Sequence, residues 1–161
     1  MTVTPTWIGL ATHLHITPRA FLPMQAMEEI TLVPGKGIAG DRYMIGIEQG
    51  FYSDKPEDGR QITLFEEEAL ACILRDFKID MPPEEHRRNV TTRGVPLNHL
   101  VGRRLYLGDC LLEATRLSFP CRHIEEILDK AVFDPMVHRS GLNCRILEGG
   151  TVRVGDSIRP A

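Results

Sequence analysis

Among the side chains of this sequence that could do chemistry, Cys121 has the most suggestive surroundings. The stretch before it, from Leu111 to Pro120, is β-like. After it Ile124, Ile127 and Leu128 recur at helical spacing, with Glu125, Glu126 and Asp129 between them. The pattern predicts a strand that hands over to a helix, with Cys121 close to the helix N-terminus. The positive end of the helix dipole and its free N–H groups favour thiolate over thiol there, and Arg122 and His123 add positive charge directly after. Such a thiolate is a nucleophile or a soft metal ligand. The alternative is a small buried hydrophobe, the commonest fate of a free cysteine.

The basic residues point to anions. Lys36, Lys55, Lys78 and Lys130 are the only lysines among the 19 basic residues, so the rest are arginines, whose forks match phosphate and carboxylate. Arg87, Arg88 and Arg93 surround a short β-like run and form a candidate anion clamp. The alternative is a solvated surface strand. Gly35, Gly37 and Gly40 fit the G-x-G-x-x-G dinucleotide fingerprint. That fingerprint must open an amphipathic helix, and the sequence through Asp41, Gly46 and Gly50 shows no helical period. The nearest acidic residues about twenty positions on, Glu57 and Asp58, fall in a polar loop and not at a strand end. The glycines therefore predict a loop that carries Lys36, Asp41 and Arg42 toward an anionic ligand. His13 and His15 share one strand face, and no H-E-x-x-H or C-x-x-C pattern is present.

The elements that must position these residues are short. Strands are expected at Trp7–Ile16, Glu28–Val33, Gln61–Phe65, Arg103–Leu107, Cys110–Leu117, Gly141–Leu147 and Thr151–Val154. Gly108-Asp109 suits a two-residue hairpin turn. The clearest helix runs from Glu66 to Phe77, with Ala69, Leu70, Ile73, Leu74 and Phe77 on one face and three glutamates in its first turn. Phe51 to Arg60 reads as a polar loop. Without regular β-α-β alternation, the fold class is mainly β with a few helices (α+β), and the pattern favours a compact strand-rich barrel or sandwich in a single domain spanning 1–161. A net charge of −3 gives no bulk attraction to nucleic acid or to an anionic membrane. No run reaches membrane-spanning length, and the N-terminus has no signal-peptide pattern. Cys72, Cys110, Cys121 and Cys144 fit reduced thiols in a cytoplasm.

Taken in order, Gly37-Ile-Ala-Gly-Asp-Arg42, Gln61-Ile-Thr-Leu-Phe65, Arg87-Arg-Asn-Val90 with Gly94, Leu100-Val-Gly102, Gly108, Pro120-Cys121 and Gly141 to Asp156 resemble the MOSC family, named for the C-terminal domain of molybdenum-cofactor sulfurases. The resemblance implies a barrel of the pyruvate-kinase β-barrel type. It also implies that the Cys121 thiolate carries sulfur or ligates the molybdenum of a bound molybdopterin, the molybdenum cofactor, with basic residues on the pterin phosphate. The cofactor-binding candidates are then Lys36, Asp41, Arg42, Arg87, Arg88, Asn89 and Arg122. The implied activity is sulfur or metal carriage, or reduction of an N-hydroxylated small-molecule substrate with an external electron or sulfur donor protein. The other class of function is a non-catalytic module for an anionic ligand or protein partner, with Cys121 structural. Tyr43 stands where the family often has histidine. The chain shows no N-terminal barrel domain, C-terminal helical extension or ferredoxin domain of longer members, so the expectation is either a partner for electrons or poor binding of the cofactor.

Overall fold

A computed structural model of the chain describes residues 1–49 and 59–161. Gly50, Glu57, Asp58 and most of the expected Phe51–Arg60 loop lie outside the described residues. In chain order the elements are β1 (Gly9–Ile16), β2 (Gln25–Met27), β3 (Glu29–Val33), β4 (Gly37–Ile38), α1 (Arg42–Gln49), β5 (Ile62–Glu66), α2 (Glu67–Phe77), β6 (Val90–Arg93), β7 (Arg104–Leu107), β8 (Cys110–Leu117), α3 (Arg122–Leu128), β9 (Leu142–Glu148), β10 (Gly150–Arg153) and β11 (Ser157–Pro160). Seven strands close a barrel in the order β1–β6–β5–β9–β8–β7–β11, and β11 pairs back onto β1. Closure removes the sheet edges that would otherwise be exposed. β2 hangs on β1 outside the ring, and β10, β3 and β4 form a small second sheet.

Period-two alternation sets the two sides of the barrel wall. Along β5, Ile62 and Leu64 join the main core with Leu14, Leu112, Leu142 and Ile146. Phe65 faces the other way and packs with Ala69 and Ile73 of α2, Ile124 of α3, and Met81, Val132 and Met136. Burying each of the large aliphatic or aromatic side chains contributes about 1.5–3 kcal/mol. β5 is therefore buried on both faces, which is why it reads as a nearly unbroken apolar run. Gly141 lets β9 start against it: a Cβ there would sit 2.1 Å from the Leu64 carbonyl oxygen, at a backbone φ of +97°.

Three expectations change. The glycine turn does open a helix, α1, because the buried Asp41 carboxylate caps it by accepting the Tyr43 amide and the Arg42 guanidinium. The dinucleotide reading still fails. The preceding strand, β4, is two residues long and antiparallel to β3, so no parallel β-α-β frame surrounds the turn. One β-α-β unit does exist: β5 and β6 pair in parallel with α2 between them. The apolar stripe of α2 is also shorter than its spacing predicts. Ala69 and Ile73 are buried, whereas Leu74 and Phe77 are each 47% exposed.

Candidate functional site

The outer faces of β5, β9 and β8, together with α3, the start of α1 and the turn before β6, enclose a cleft of about 260 Å³. In register, Thr63 of β5 pairs with Asn143 of β9, and Asn143 with Arg116 of β8, so these three form a polar row across neighbouring strands. A bulge between Ala114 and Arg116 shifts the register there, turning Arg116 away from the core where Ala114 lies. Ser118, whose hydroxyl donates to the Asn143 side-chain carbonyl, continues the wall.

Cys121 is the N-cap residue of α3, and its thiol is exposed. Its neighbour Arg122 points away from the cleft, pairing with Glu125 at 3.7 Å and lying over the Phe133 ring. His123 does line the cleft, with its ring edge-on to Phe21 at 4.0 Å between centroids. Phe21 holds a backbone φ of +71°, a strained value for a bulky side chain.

The glycine loop and the arginine motif meet here. Asp41, fully buried, accepts from the Thr17 amide at 3.1 Å and from Arg42 Nη1 at 3.2 Å. Burial pushes its carboxyl up against the pull of Arg42 and the surrounding N–H groups. Arg42 Nη2 donates to the Tyr43 hydroxyl at 3.0 Å and to the Arg87 carbonyl at 2.8 Å, which ties α1 to the arginine turn. The Tyr43 ring lies beneath both Arg42 and Arg60, 4.3 and 4.9 Å from its centroid.

Arg87 and Arg88 are not on a surface strand. They occupy a turn between a 3-10 segment, Pro83–His86, and β6, and both are buried. Arg87 Nη1 donates to the Leu22 carbonyl at 2.8 Å. Arg88 Nε donates to the Ser140 carbonyl at 3.0 Å and Nη2 to that of Phe119 at 3.2 Å. Arg88 is 8% exposed and has no acidic partner among the described residues. Burial pulls its guanidinium down from the usual arginine range, yet arginine stays charged in a protein.

Of the residues singled out from sequence, Cys121, Arg42, Arg87 and Arg88 line the cleft. Asp41 and Asn89 lie behind it. Asn89 accepts the Thr63 amide through Oδ1 at 3.0 Å and donates to the His15 carbonyl at 3.2 Å, bracing β5 against β1. The structure does not bring Lys36 to the cleft: it sits exposed in the tight turn between β3 and β4, and nearness in sequence to Arg42 does not give it the same facing. Arg122 does not line the cleft either, and its guanidinium lies 3.7 Å from the Glu125 carboxylate. Arg60, Arg116, Thr63, Ser118, Asn143 and His123 complete the wall. Their signal was faint: polar residues at alternate positions inside apolar strands, as at Thr63 and Asn143.

Five arginines and one thiol thus face a single cleft that no described carboxylate lines. A small closed barrel with an arginine-walled cleft and a thiol at its mouth defines the class. The MOSC domain model matches residues 39–159, and the chain belongs to that family, which is associated with the molybdenum cofactor. The chain is similar to the solved YuaD protein from Bacillus subtilis, with 22% identity over 95% of this chain and 97% of that one and a TM-score of 0.76. It is also similar to YiiM from Escherichia coli, with 15% identity over 98% and 70% of the two chains and a TM-score of 0.69. YiiM from Geobacillus stearothermophilus gives 12% identity over 95% and 75%, with a TM-score of 0.72. At these identities the likeness concerns the fold. No curated protein matches the chain significantly. Among the described residues no helix is long and apolar enough to cross a membrane.

Proposed function

We propose that the cleft binds the phosphate-bearing pterin of a molybdenum cofactor, with the Cys121 sulfur as the protein's ligand to the metal. Arg88 carries this reading. A guanidinium 8% exposed, hydrogen-bonded to carbonyls but without a carboxylate partner, is a buried charge with no counter-charge among the described residues, and an anion in the cleft would supply one. The donor set fits such a group: one soft thiol suits molybdenum, and forked guanidiniums suit phosphate. About 260 Å³ is just below the ~300–1,000 Å³ usual for small-molecule sites, so the open mouth holds part of the ligand. When bound, the cofactor supplies a two-electron change of oxidation state.

The chain supplies binding, orientation and shape. Arg87 and Arg88 hold the anionic group from fixed positions, since both are anchored to backbone carbonyls. Asp41 fixes Arg42, which in turn fixes the Tyr43 hydroxyl at the cleft wall. Asn89 braces the wall from behind. His123, held edge-on against Phe21, lines the same cleft as Cys121. The reaction this serves is reduction of an N-hydroxylated compound, in which N–OH, two electrons and two protons give N–H and water. The electrons come from an external donor protein.

Metal analysis of the protein expressed in a host that makes the cofactor tests this. Molybdenum near one atom per chain in wild type, lost in Cys121→Ala with the barrel still folded, is the expected result. Wild type that repeatedly carries no molybdenum overturns the reading and leaves an anion-binding module with a structural cysteine.

A further inference from the structure

His86 is a titratable group beside the cleft that the proposed function leaves unused. It ends the 3-10 segment, is fully buried, and stacks on the Phe65 ring at 4.3 Å and 16°. Its Nδ1 accepts the Arg88 backbone N–H at 2.9 Å, and its Nε2 lies 2.8 Å from the Thr91 hydroxyl. An amide can only donate, so Nδ1 carries the lone pair, and Nε2–H donates to Thr91. Between the two bonded residues Arg87 takes the left-handed conformation, φ 62° and ψ 23°. For a non-glycine residue that costs about 1–2 kcal/mol, so something must hold it. The turn sends one guanidinium toward the Leu22 carbonyl and the next toward those of Ser140 and Phe119.

We propose that His86 is a positioning residue for the anion cleft: its neutral imidazole, by accepting the Arg88 amide, holds the strained turn that delivers both Arg87 and Arg88. This rests on the reading that the cleft binds an anion. Protonation of Nδ1 would set a donor against a donor and release the turn. The charged and titratable groups acting on the ring are Arg88 on its own turn and His13 and His15 on β1. The neighbours from β5 and β6, Phe65 and Thr91, are uncharged. Glu84 acts on His15, and Glu85 is paired with Lys130. Burial first, then Arg88 and the two histidines, hold His86 well below the usual histidine range. The turn therefore stays closed at neutral pH and opens in acid.

The test uses the full chain with sulfate as probe, because sulfate keeps its charge across the pH range. The readouts are 15N spectra of the Arg88 amide and Nε–H, with hydrogen exchange of Nε–H as a ligand-free readout. His86→Asn keeps an acceptor for an amide two residues on without titrating; His86→Phe keeps the stacked ring without an acceptor. Sulfate affinity of wild type should fall about ten-fold or more in acid, the worth of one hydrogen bond to a charged group. His86→Asn should bind within about three-fold of wild type at neutral pH and lose the acid fall. His86→Phe should bind about ten-fold more weakly throughout and exchange Arg88 Nε–H faster even without sulfate. Should His86→Phe not fold, wild type against His86→Asn decides through the acid fall. An acid fall identical in wild type and His86→Asn, or unchanged affinity and exchange in a folded His86→Phe, overturns the proposal. No sulfate response in wild type, with Nε–H exchange still dependent on His86, overturns the anion reading while upholding the positioning role.

Discussion

Replacing Arg88 by methionine separates a guanidinium that binds from one that braces. The methionine keeps much of the apolar stem and removes the charge. In the free protein the guanidinium donates to the Ser140 and Phe119 carbonyls at 3.0 and 3.2 Å. Each hydrogen bond from a charged group contributes about 1.5–3 kcal/mol, so the two together contribute about 3–6 kcal/mol. Against this stands an ion taken out of water with no carboxylate beside it, which costs several kcal/mol. The two nearly cancel, and Arg88→Met should change unfolding stability by no more than about 2 kcal/mol in either direction.

Anion binding should respond very differently. A unit charge about 4 Å from the guanidinium at an effective dielectric of about 20 interacts by about 4 kcal/mol, roughly a thousand-fold in Kd. The remaining arginines and penetrating water share that field, so a loss of about 10- to 1,000-fold is expected. Chemical denaturation and sulfate titration of the same variant give the two numbers. Arg93→Met is the control: Arg93 is exposed and paired with Glu67 at 2.7 Å, so neither quantity should move much. A loss of more than about 4 kcal/mol in stability with unchanged sulfate affinity would show that Arg88 braces the barrel and would refute the reasoning.

Three further outcomes follow from burial and geometry. Iodoacetamide should label the exposed Cys121 first and the buried Cys144 last, since burial pushes the Cys144 thiol far up; Cys144 labelling at the rate of Cys121 in the native protein would contradict the packing. Gly141→Ala should destabilise by about 3 kcal/mol or more in denaturant titrations, because its Cβ would meet the Leu64 carbonyl oxygen at 2.1 Å; a near-neutral result would mean that β9 is not held against β5 there. Acid should also unfold the protein through its histidines. His15 and His86 are held below the ordinary histidine value of about 6.5 chiefly by burial, so the unfolded chain binds more protons than the fold once pH drops below about 6.5. Stability is then full above that pH and falls by up to about 1.4 kcal/mol per pH unit per histidine until the folded rings protonate. Asp41 and Glu66, pushed up by burial, act with the opposite sign nearer the carboxylate range. A flat profile between about pH 7 and pH 5.5 would show that neither ring is held neutral.

The parts of the fold legible in the sequence were those fixed by local pattern. β1, the β7–β8 hairpin, α2 and the strand-to-helix step at Cys121 follow from alternation, a turn pair and helical spacing. β2 was not legible because it is three residues mostly facing solvent, with no apolar stripe. α1 escaped because its start is set by the buried Asp41 cap and not by an apolar period. The site divides in the same way. Residue type singles out Cys121, Arg42, Arg87 and Arg88, and the fold brings all four to one cleft. Arg116 could not be read, because a bulge turns it outward, and bulges leave little mark in a single sequence. Lys36 and Arg122 show the converse: charge adjacent to a motif does not imply charge facing the same cleft.

The cleft combines anchored cations with an unanchored thiol. Arg42, Arg87 and Arg88 each donate to backbone carbonyls, and Asp41, Asn89 and His86 hold the segments that carry them. Little ordering remains for an anion to induce, so binding loses less entropy there than at a flexible surface. Cys121, by contrast, is exposed at the N-cap and makes no capping bond through its side chain. It comes from the start of α3, which joins the wall through Ile124, and Arg88 reaches its segment by bonding the Phe119 carbonyl two residues before it. On the proposed function, rigid parts of the barrel would place the anion, and the thiol would approach from its own helix. That division predicts that Cys121→Ser leaves sulfate affinity within about two-fold of wild type while removing molybdenum, whereas Arg88→Met lowers both. Loss of sulfate affinity in Cys121→Ser would mean that the thiol and the arginines form one coupled unit, and the separation argued from their anchoring would be wrong.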